Sequence, residues 1–461
     1  MGAETDVKSS KKVTWPQWIA GIGVTLLLTQ IGLMAGWSSP YIAELTSPGS
    51  SLYITMEQAS WVVSLLNLGR LFGAIAGAVS VNYLGSKTTV LITYVPAAFC
   101  WIFIIVANSA EWLYAARLLG GVSLGMTYSC FSLYLGEIAD PSIRGGLVAL
   151  SMGGLSIGTF AMSCMGAYLD MKVSGTICLA PCLALMLLFL WLPESPYHLT
   201  KKKFDEKARA SILWYHRDCD VEAEFAAIRK FVENLDGRSF IGTLKELSTP
   251  QFKKSILLIT VLFMYSQLCG INNVLFYMET ILTSAKVSVL EPSVTVMIVM
   301  SSGIAGSCLP TFLMDRFGRR ILMISSCVGI TISLCFLSLE FNLMHFGFDP
   351  KTVEGLSIFA MILFYLTVYV GVLSIPPAIL SEIFPSNVKC IAACYGSCIA
   401  GIFSFISTII YLPLLNLMGE EFVFLFFGLL LLTAVPYTIF CVPETKGMSL
   451  QEIQNQLVQK K

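Results

Sequence analysis

Long apolar runs separated by short polar segments dominate this chain. An apolar window of about 20 residues is long enough for a helix to cross the hydrocarbon core of a bilayer. Such windows occur in two sets of six, one on each side of a charged segment at 193–254. They lie at 19–37, 59–80, 88–107, 112–135, 146–169, 175–192, 255–278, 293–314, 321–339, 356–380, 391–414 and 422–441. The pattern predicts an all-α membrane protein with twelve transmembrane helices.

The central segment and the end of the chain have a different pattern. Within 193–254, the stretches 204–217 and 221–234 have the polar composition of surface helices. After the last apolar window, Ser449 and Glu452 form a capping-box pattern, which predicts a short final helix. We therefore divide the chain into a first six-helix bundle at 1–192, a cytoplasmic helical linker at 193–254, a second bundle at 255–441 and a tail at 442–461.

Three short motifs occur once in each set of windows, in the same order. They pair Gly85-Ser86-Lys87 with Gly318-Arg319-Arg320, Glu137 and Arg144 with Glu382 and Lys389, and Pro193-Glu194-Ser195 with Pro443-Glu444-Thr445. This repetition indicates a duplicated six-helix unit. Two parallel repeats suit a transporter that rocks two pseudo-symmetric bundles about a central site.

The composition supports a membrane location and argues against several other classes of protein. Of the 461 residues, 56% are hydrophobic and 13% are charged, whereas about 25% are charged in soluble domains. The net charge is zero, so nothing indicates a nucleic-acid partner. The histidines lie in predicted loops and no window pairs a nucleophile with a base, so we expect no enzyme. Cys390, Cys394 and Cys398 share one helical face, but with no histidine nearby we expect neither a metal nor a cofactor.

Lysine and arginine are distributed unevenly between the two sides of the membrane. Only Lys172, Lys286 and Lys351 fall in the loops on the side opposite the termini. Because positive charge in short loops favours the cytoplasmic side, we expect both termini in the cytoplasm. The predicted environment is a lipid bilayer. The sequence does not specify an oligomeric state, and a monomer would suffice.

The seventh window carries a polar stretch that a simple membrane anchor does not need. Gln267, Asn272 and Asn273 are amides near its centre, and Gly270 between them weakens the helix. An amide without a partner in hydrocarbon costs several kcal/mol. One interpretation is a polar contact that joins helices. The other, which we favour, is a bend or break of the helix beside a cavity that binds a hydroxyl-rich solute.

A set of motifs extends this interpretation to nearly the whole chain. The motifs are RLLGG at 117–121, Glu137 with Arg144, PESP at 193–196, QLCGIN at 267–272, DRFGRR at 315–320, EIFP at 382–385 and PETKG at 443–447. In this order they resemble the sugar-porter family of the major facilitator superfamily. GWSSP at 36–40 and EQASW at 57–61 resemble its facilitated trehalose transporter branch known from insects. The resemblance implies the major facilitator fold and transport of a neutral sugar, trehalose or a hexose, across the cell membrane.

The resemblance also implies roles for residues of the seventh window. Gln267 and Asn272 would bind sugar hydroxyls, while Phe276 and Tyr277 would close over the sugar. A carboxamide donates and accepts hydrogen bonds as a hydroxyl does, and an aromatic ring packs against the C–H face of a sugar. Asn273 projects about 100° away from Asn272, so contact with the sugar and contact with a neighbouring helix both stay open.

Several residues depart from the pattern of hexose transporters. These are Met152 and Ser266 in place of glutamines, Gly303 in place of asparagine, Pro377 in place of tryptophan, and Ser404 with Phe405 in place of an asparagine–tryptophan pair. Fewer fixed hydrogen-bonding groups leave trehalose, a hexose or a polyol open as the substrate. They also leave a sugar sensor that does not transport as an alternative.

Charged residues of the motifs are expected to form a gating network at the cytoplasmic helix ends. Its members are Arg117, Glu137, Arg144, Asp315, Arg319, Glu382 and Lys389. A network that forms in only one conformation would bias the equilibrium between conformations. Plain anchoring of positive charge on the cytoplasmic side is the alternative. Ser86 stands where the family has an arginine, so the first half of the network is expected to be weaker.

Arg70 lies near the centre of the second window, where a charge is costly. Its guanidinium could bind substrate, pair with helix-terminal carbonyl groups, or extend to the membrane interface. We favour the structural pairing.

The windows carry no carboxylate at their centres. Coupling to protons requires a group that titrates within the pathway. We therefore expect passive uniport by alternating access.

Overall fold

The computed structural model describes residues 14–50, 52–217, 219–235, 242, 246–247, 249–446, 448 and 452. The first half contains α1 (Trp15–Gly36), α2 (Ser38–Leu45), α3 (Met56–Leu84), α4 (Ser86–Val106), α5 (Ala110–Ile138), α6 (Pro141–Tyr168) and α7 (Met171–Trp191). The linker contains α8 (Pro196–Lys201), α9 (Asp205–Tyr215) and α10 (Val221–Leu235). The final helix expected from Ser449 and most of the tail at 442–461 lie outside the described residues.

The second half is also helical, and several of its spans are interrupted. It contains α11 (Pro250–Leu268), α12 (Ile271–Ser284), α13 (Pro292–Phe317), α14 (Arg319–His345), α15 (Pro350–Val353), α16 (Gly355–Val370), α17 (Ile375–Ile383), α18 (Ser386–Met418), α19 (Glu420–Leu432) and α20 (Ala434–Phe440). Helices α11 and α12 form the seventh span, α15 to α17 the tenth, and α19 and α20 the twelfth.

Twelve helical spans in the described part of the chain are long and apolar enough to cross a membrane. They are Trp15–Leu45, Met56–Leu84, Ser86–Val106, Ala110–Ile138, Pro141–Tyr168, Met171–Trp191, Phe252–Ser284, Pro292–Met314, Arg319–His345, Pro350–Ile383, Ile391–Met418 and Glu420–Phe440. Each coincides with one predicted window. The prediction of twelve transmembrane helices is therefore confirmed.

The repeated motifs lie at one end of the bundle, and in each half they cap the start of a helix. Gly85 has a φ of +99°, and α4 begins directly after it. The Glu194 carboxylate accepts hydrogen bonds from Lys87 N and Thr88 N, each at 3.0 Å. The carboxylate therefore caps the start of α4, where backbone N–H groups have no partner within the helix.

The second half repeats this cap. Gly318 has a φ of +84°, and the Glu444 carboxylate accepts from Arg319 N at 3.0 Å and Arg320 N at 3.1 Å. Burial acts to raise the pKa of Glu444, but these N–H groups outweigh it and hold the pKa below its ordinary value. We call this end of the bundle, marked by the Glu194 and Glu444 caps, the charged end.

The two halves pack against each other along paired spans. Helix α3 lies against α18, and α6 lies against α13. Along the first pair, Asn67 Nδ2 is 3.4 Å from Thr408 Oγ1, and the backbone of Leu71 packs against Gly401. At the end opposite the charged end, Glu279 N donates to Ser39 Oγ at 3.2 Å. The halves are thus in contact from mid-membrane to that opposite end.

Helix α9 fixes the linker to the first half. The Tyr215 hydroxyl donates to Pro193 O at 2.9 Å and lies 2.9 Å from the Tyr134 hydroxyl. Gln17 Nε2 donates to Tyr215 O at 3.1 Å. All of these groups are at the charged end, so the linker covers the ends of the first-half helices there.

Candidate functional site

The seventh span is broken at Gly270. Helix α11 ends at Leu268 and α12 begins at Ile271, while Gly270 adopts a left-handed conformation with φ +83° and ψ 5°. A Cβ at Gly270 would have room, since its nearest neighbour would be Phe427 at 3.6 Å. The backbone conformation rather than crowding therefore requires glycine. The break predicted from the sequence is present, and it leaves the first N–H groups of α12 without partners inside the helix.

A connected cluster of polar side chains surrounds the break. Asn272 Nδ2 donates to Gln267 Oε1 at 3.1 Å and to Ser404 Oγ on α18 at 2.9 Å. Gln267 Nε2 lies 3.1 Å from Ser266 Oγ. Gln267 and Ser404 are buried, whereas Asn272 is partly exposed and its carbonyl oxygen accepts no hydrogen bond from the described residues. Asn272 is thus the amide of this cluster that is positioned to meet a solute. We call Gln267, Asn272 and Ser404 the amide cluster.

Asn273 points elsewhere. Its Nδ2 donates to Ser407 Oγ on α18 at 3.3 Å, and the residue is 1% exposed. Of the two orientations left open by the sequence, the structure therefore has the one toward a neighbouring helix. Its Oδ1 has no hydrogen-bond partner among the described residues.

Phe276 and Tyr277 lie farther along α12, between the amide cluster and the end opposite the charged end. Both are buried, and the Tyr277 ring stacks on Tyr411 with centroids 5.1 Å apart. Tyr277 has φ −112° and ψ 15°, so α12 is kinked there as well. Aromatic packing together with the contact between Ser39 and Glu279 closes this side of the cluster.

Two departures from the hexose-transporter pattern have a physical explanation. A Cβ at Gly303 would lie 3.2 Å from the rings of both Tyr365 and Tyr369, so these rings occupy the space that an asparagine side chain would need. Ser404 belongs to the amide cluster and accepts a hydrogen bond there. The site therefore contains different side chains and has not simply lost the ones that hexose transporters have.

The tenth span is also broken, and its sequence was expected to form one continuous helix. Helix α16 ends at Val370 and α17 begins at Ile375. Ser326 Oγ on α14 satisfies both sides of the gap, since it donates to Thr367 O at 2.5 Å and accepts from Val372 N at 3.0 Å. The neglected signal was Gly371 followed by Pro376 and Pro377, residues that weaken or end helices.

Only part of the expected charge network is present among the described residues. Arg319 donates to Glu382 Oε1 from Nη2 at 2.9 Å and from Nε at 3.1 Å, joining α14 to α17. Glu137 instead accepts from Ser86 Oγ. Arg144 donates to Ala139 O at 3.1 Å and forms no ion pair with Glu137. Lys389 is exposed, and the side chain of Asp315 lies outside the described residues.

The placement of Arg117 in this network was wrong. Arg117 and Glu137 belong to the same helix, and a separation of 20 residues puts them about 30 Å apart along its axis. The buried Arg117 donates to Met34 O at 2.6 Å and to Ser38 Oγ at 2.5 Å. It therefore fixes the junction of α1 and α2, toward the end of the bundle that is opposite the charged end.

Arg70 has neither the carbonyl partner that we favoured nor a path to the membrane interface. It forms no hydrogen bond or ion pair with the described residues, and its guanidinium lies 4.9 Å from the centroid of the Tyr128 ring. Trp61, Phe72 and Val79 form the exposed face of α3. At 100° per residue, Arg70 lies about 140–180° from that face, which excludes extension into lipid.

Two further buried amides were missed. Gln30 accepts from Trp101 Nε1 at 3.2 Å and donates to Cys178 O at 3.3 Å, so both of its polar atoms are used inside the first half. Asn67 bonds across the halves to Thr408. Each is an amide within an apolar window, the same signal that identified the seventh span.

Comparisons with known proteins place the chain in a family. The family model described as "Sugar (and other) transporter" matches residues 18–457. The facilitated trehalose transporter Tret1 of Polypedilum vanderplanki is 30% identical over 449 residues, which cover 96% of this chain and 88% of that protein. The Tret1 proteins of Drosophila grimshawi and Drosophila mojavensis are 28% and 29% identical, with 96% of this chain covered in each case. The chain spans about half the length of these two Drosophila relatives, 48% and 52%.

Solved structures show the same fold. The proton:xylose symporter XylE bound to 6-bromo-6-deoxy-D-glucose aligns with a TM-score of 0.75 and 18% identity, covering 96% of this chain and 99% of that one. The inward-open xylose transporter XylE from E. coli aligns with a TM-score of 0.74 and 18% identity, covering 95% and 98%. The expected major facilitator fold is confirmed, and so is the prediction that the chain is not an enzyme. The chain belongs to the family of sugar and other transporters.

Proposed function

We propose that the chain carries a neutral carbohydrate across a membrane by passive, alternating-access uniport. The observation that carries this proposal is the amide cluster at the break of the seventh span. It provides Asn272, a partly exposed amide, beside the first N–H groups of α12, which have no partner inside the helix. Such groups match hydroxyls, which donate and accept hydrogen bonds at once. Because curated relatives are named facilitated trehalose transporters, trehalose is the first candidate, with hexoses next.

The arrangement of the halves supports alternating access. The contact of Ser39 with Glu279 joins the two halves at the end opposite the charged end, near the stacked rings of Tyr277 and Tyr411. Moving Ser39 away from Glu279 would open the amide cluster to that side. The charged end carries its caps and the Arg319–Glu382 pair within single halves, so the halves can rock there without breaking them.

We further propose that both termini face the cytoplasm and that the protein resides in the cell membrane. The support is the excess of lysine and arginine in short loops at the charged end. In this orientation the charged end is cytoplasmic, and Phe276 and Tyr277 lie on the outer side of the substrate.

The positions of the carboxylates support passive transport. Glu340 is near the end of α14 and accepts from Ser357 Oγ, while Glu279 lies beside Ser39 at the end opposite the charged end. Neither is at the level of the amide cluster. In proteoliposomes, an imposed pH gradient is therefore expected to leave the final sugar distribution equal on both sides. Accumulation above equilibrium would contradict uniport.

Labelled-sugar counterflow tests the proposed function. Vesicles bearing the full chain and preloaded with unlabelled trehalose, glucose, fructose or a polyol are offered a trace of the labelled compound. The proposal expects transient accumulation of at least one sugar. Binding without exchange would instead identify the alternative, a sugar sensor.

A further inference from the structure

Arg70 lies at the contact between the halves and is directed toward the central axis of the bundle. On α3, the neighbouring Asn67 and Leu71 contact α18 of the other half. Arg70 stacks on Tyr128 of α5 on its other side. The face exposed to lipid is on the opposite side of α3, so the guanidinium is located between α5 and α18.

No counter-ion for this charge occurs among the described residues. Arg70 takes part in no hydrogen bond or ion pair there, and its Nε is buried without a partner. Tyr128 and Cys398 lie close to it, and an ordinary tyrosine or cysteine side chain is neutral at pH 7. The carboxylate of Glu137, on the same helix as Tyr128, is about 13 Å farther along the axis. An unpaired charge at mid-membrane is costly, and such residues normally have a partner.

The contact with Tyr128 uses a face of the Arg70 guanidinium and none of its N–H donors. The ring covers one face of the planar group, whereas its N–H donors point outward in the plane. This geometry suits a carboxylate or a halide. Along α18, Gly401 and Cys398 lie about 5–9 Å from the level of Ser404, a distance that one sugar unit spans.

We propose that Arg70, supported by Tyr128, forms an anion-binding subsite one to two helical turns from the amide cluster. The anion is a carboxylate or a halide that stays bound at Arg70 and is not itself carried with the neutral carbohydrate. The inference rests on the proposed function only for the identity of the accompanying sugar. Binding of the anion itself does not require that transport occur.

Thermal unfolding of the purified full chain tests this subsite. The protein is melted in a bulky organosulfonate salt, and sodium chloride or sodium glucuronate is then titrated in. One of the two anions is expected to raise the unfolding midpoint saturably, because a ligand that binds only the folded protein stabilises it. A response to glucuronate alone assigns the anion to a carboxylate, and a response to chloride assigns it to a halide.

Variants identify the residue responsible. Arg70→Gln is expected to raise the half-saturating concentration at least about tenfold, and Arg70→Lys to restore part of the effect. Arg209→Gln is a matched control, since Arg209 also stacks on an aromatic ring, Phe225 at 4.2 Å, but lies in the linker. The half-saturating anion concentration of Arg209→Gln should equal that of the wild type.

The proposal is overturned if neither anion shifts the wild-type midpoint, or if Arg70→Gln responds as the wild type does. The wild-type titration decides alone if Arg70→Gln does not fold. Counterflow of neutral sugar, measured separately, tests the proposed function. Loss of counterflow with anion binding intact would refute transport and leave the subsite standing.

Discussion

At the residue scale, glycines and amides determine where the helices of this chain turn or break and where its polar cluster forms. Gly270 allows the left-handed turn that breaks the seventh span, and the amides beside it meet at that break. Gln267 and Asn272 could be predicted from the sequence because an amide in an apolar window needs a partner. The participation of Ser404 could not, since it depends on how α12 packs against α18.

Arg117 shows where residue-scale prediction failed. Its motif associated it with charges at the cytoplasmic ends, yet it falls near the start of the window at 112–135. Position within the window already placed it far from Glu137, and the structure confirms that separation.

Gly85 and Gly318 give the first prediction. Each has a positive φ, and a Cβ would lie 3.0 Å from Glu194 Cδ at Gly85 and 2.6 Å from Glu444 Oε2 at Gly318. Gly85→Ala and Gly318→Ala should each destabilise the protein by about 1–3 kcal/mol, the cost of holding an L-residue in a backbone region that is essentially restricted to glycine. Thermal unfolding in detergent measures this.

The control is Gly146→Ala, also near the charged end. Gly146 is within α6, and a Cβ there would meet nothing within 4 Å. This change should be neutral or stabilise by up to about 1 kcal/mol. Equal unfolding midpoints for all three variants would contradict the role assigned to the glycine turns.

At the element scale, hydropathy located the spans but not all of their interruptions. The break at Gly270 was expected because polar residues accompany it. The tenth window, 356–380, is apolar throughout, and average hydropathy does not register where backbone hydrogen bonds are lost. Its break depends on Ser326, which belongs to a different helix.

Ser326 gives a prediction at this scale. Ser326→Ala removes the groups that bond Thr367 O and Val372 N, and should cost about 1–3 kcal/mol because a buried donor and acceptor lose their partner. The unfolding midpoint of the purified protein is the measurement. Ser325→Ala is the matched control, since Ser325 is exposed and its hydroxyl donates to Leu322 O within its own helix. A larger loss for Ser325→Ala than for Ser326→Ala would refute this account.

At the scale of the whole molecule, the sequence repeat corresponds to a structural repeat. Glu194 and Glu444 cap α4 and α14 in the same way, each after a glycine with positive φ. The repeat could be predicted because motifs are local in sequence. The contacts between halves could not, because they join α3 to α18 and α2 to α12 across most of the chain.

Relative motion of the halves gives the third prediction. In a variant with Ser39→Cys and Glu279→Cys, cross-linking should hold α2 against α12. Sugar exchange in vesicles should fall at least tenfold, which corresponds to a shift of about 1.4 kcal/mol in the equilibrium between conformations. Reduction should restore it, and each single variant treated with the same reagent is the control. Full exchange in the cross-linked protein would show that the end opposite the charged end need not open.

The most direct test of the central claim is trehalose and glucose counterflow by the wild type and by Asn272→Ala in vesicles. Asn342→Ala is the matched control, because the Asn342 side chain donates to Ser338 O within its own helix, near the end of α14. The amide cluster predicts counterflow by the wild type and by Asn342→Ala, with an apparent affinity about tenfold or more weaker in Asn272→Ala. Counterflow by Asn272→Ala with unchanged affinity would contradict the claim that this amide binds the carbohydrate.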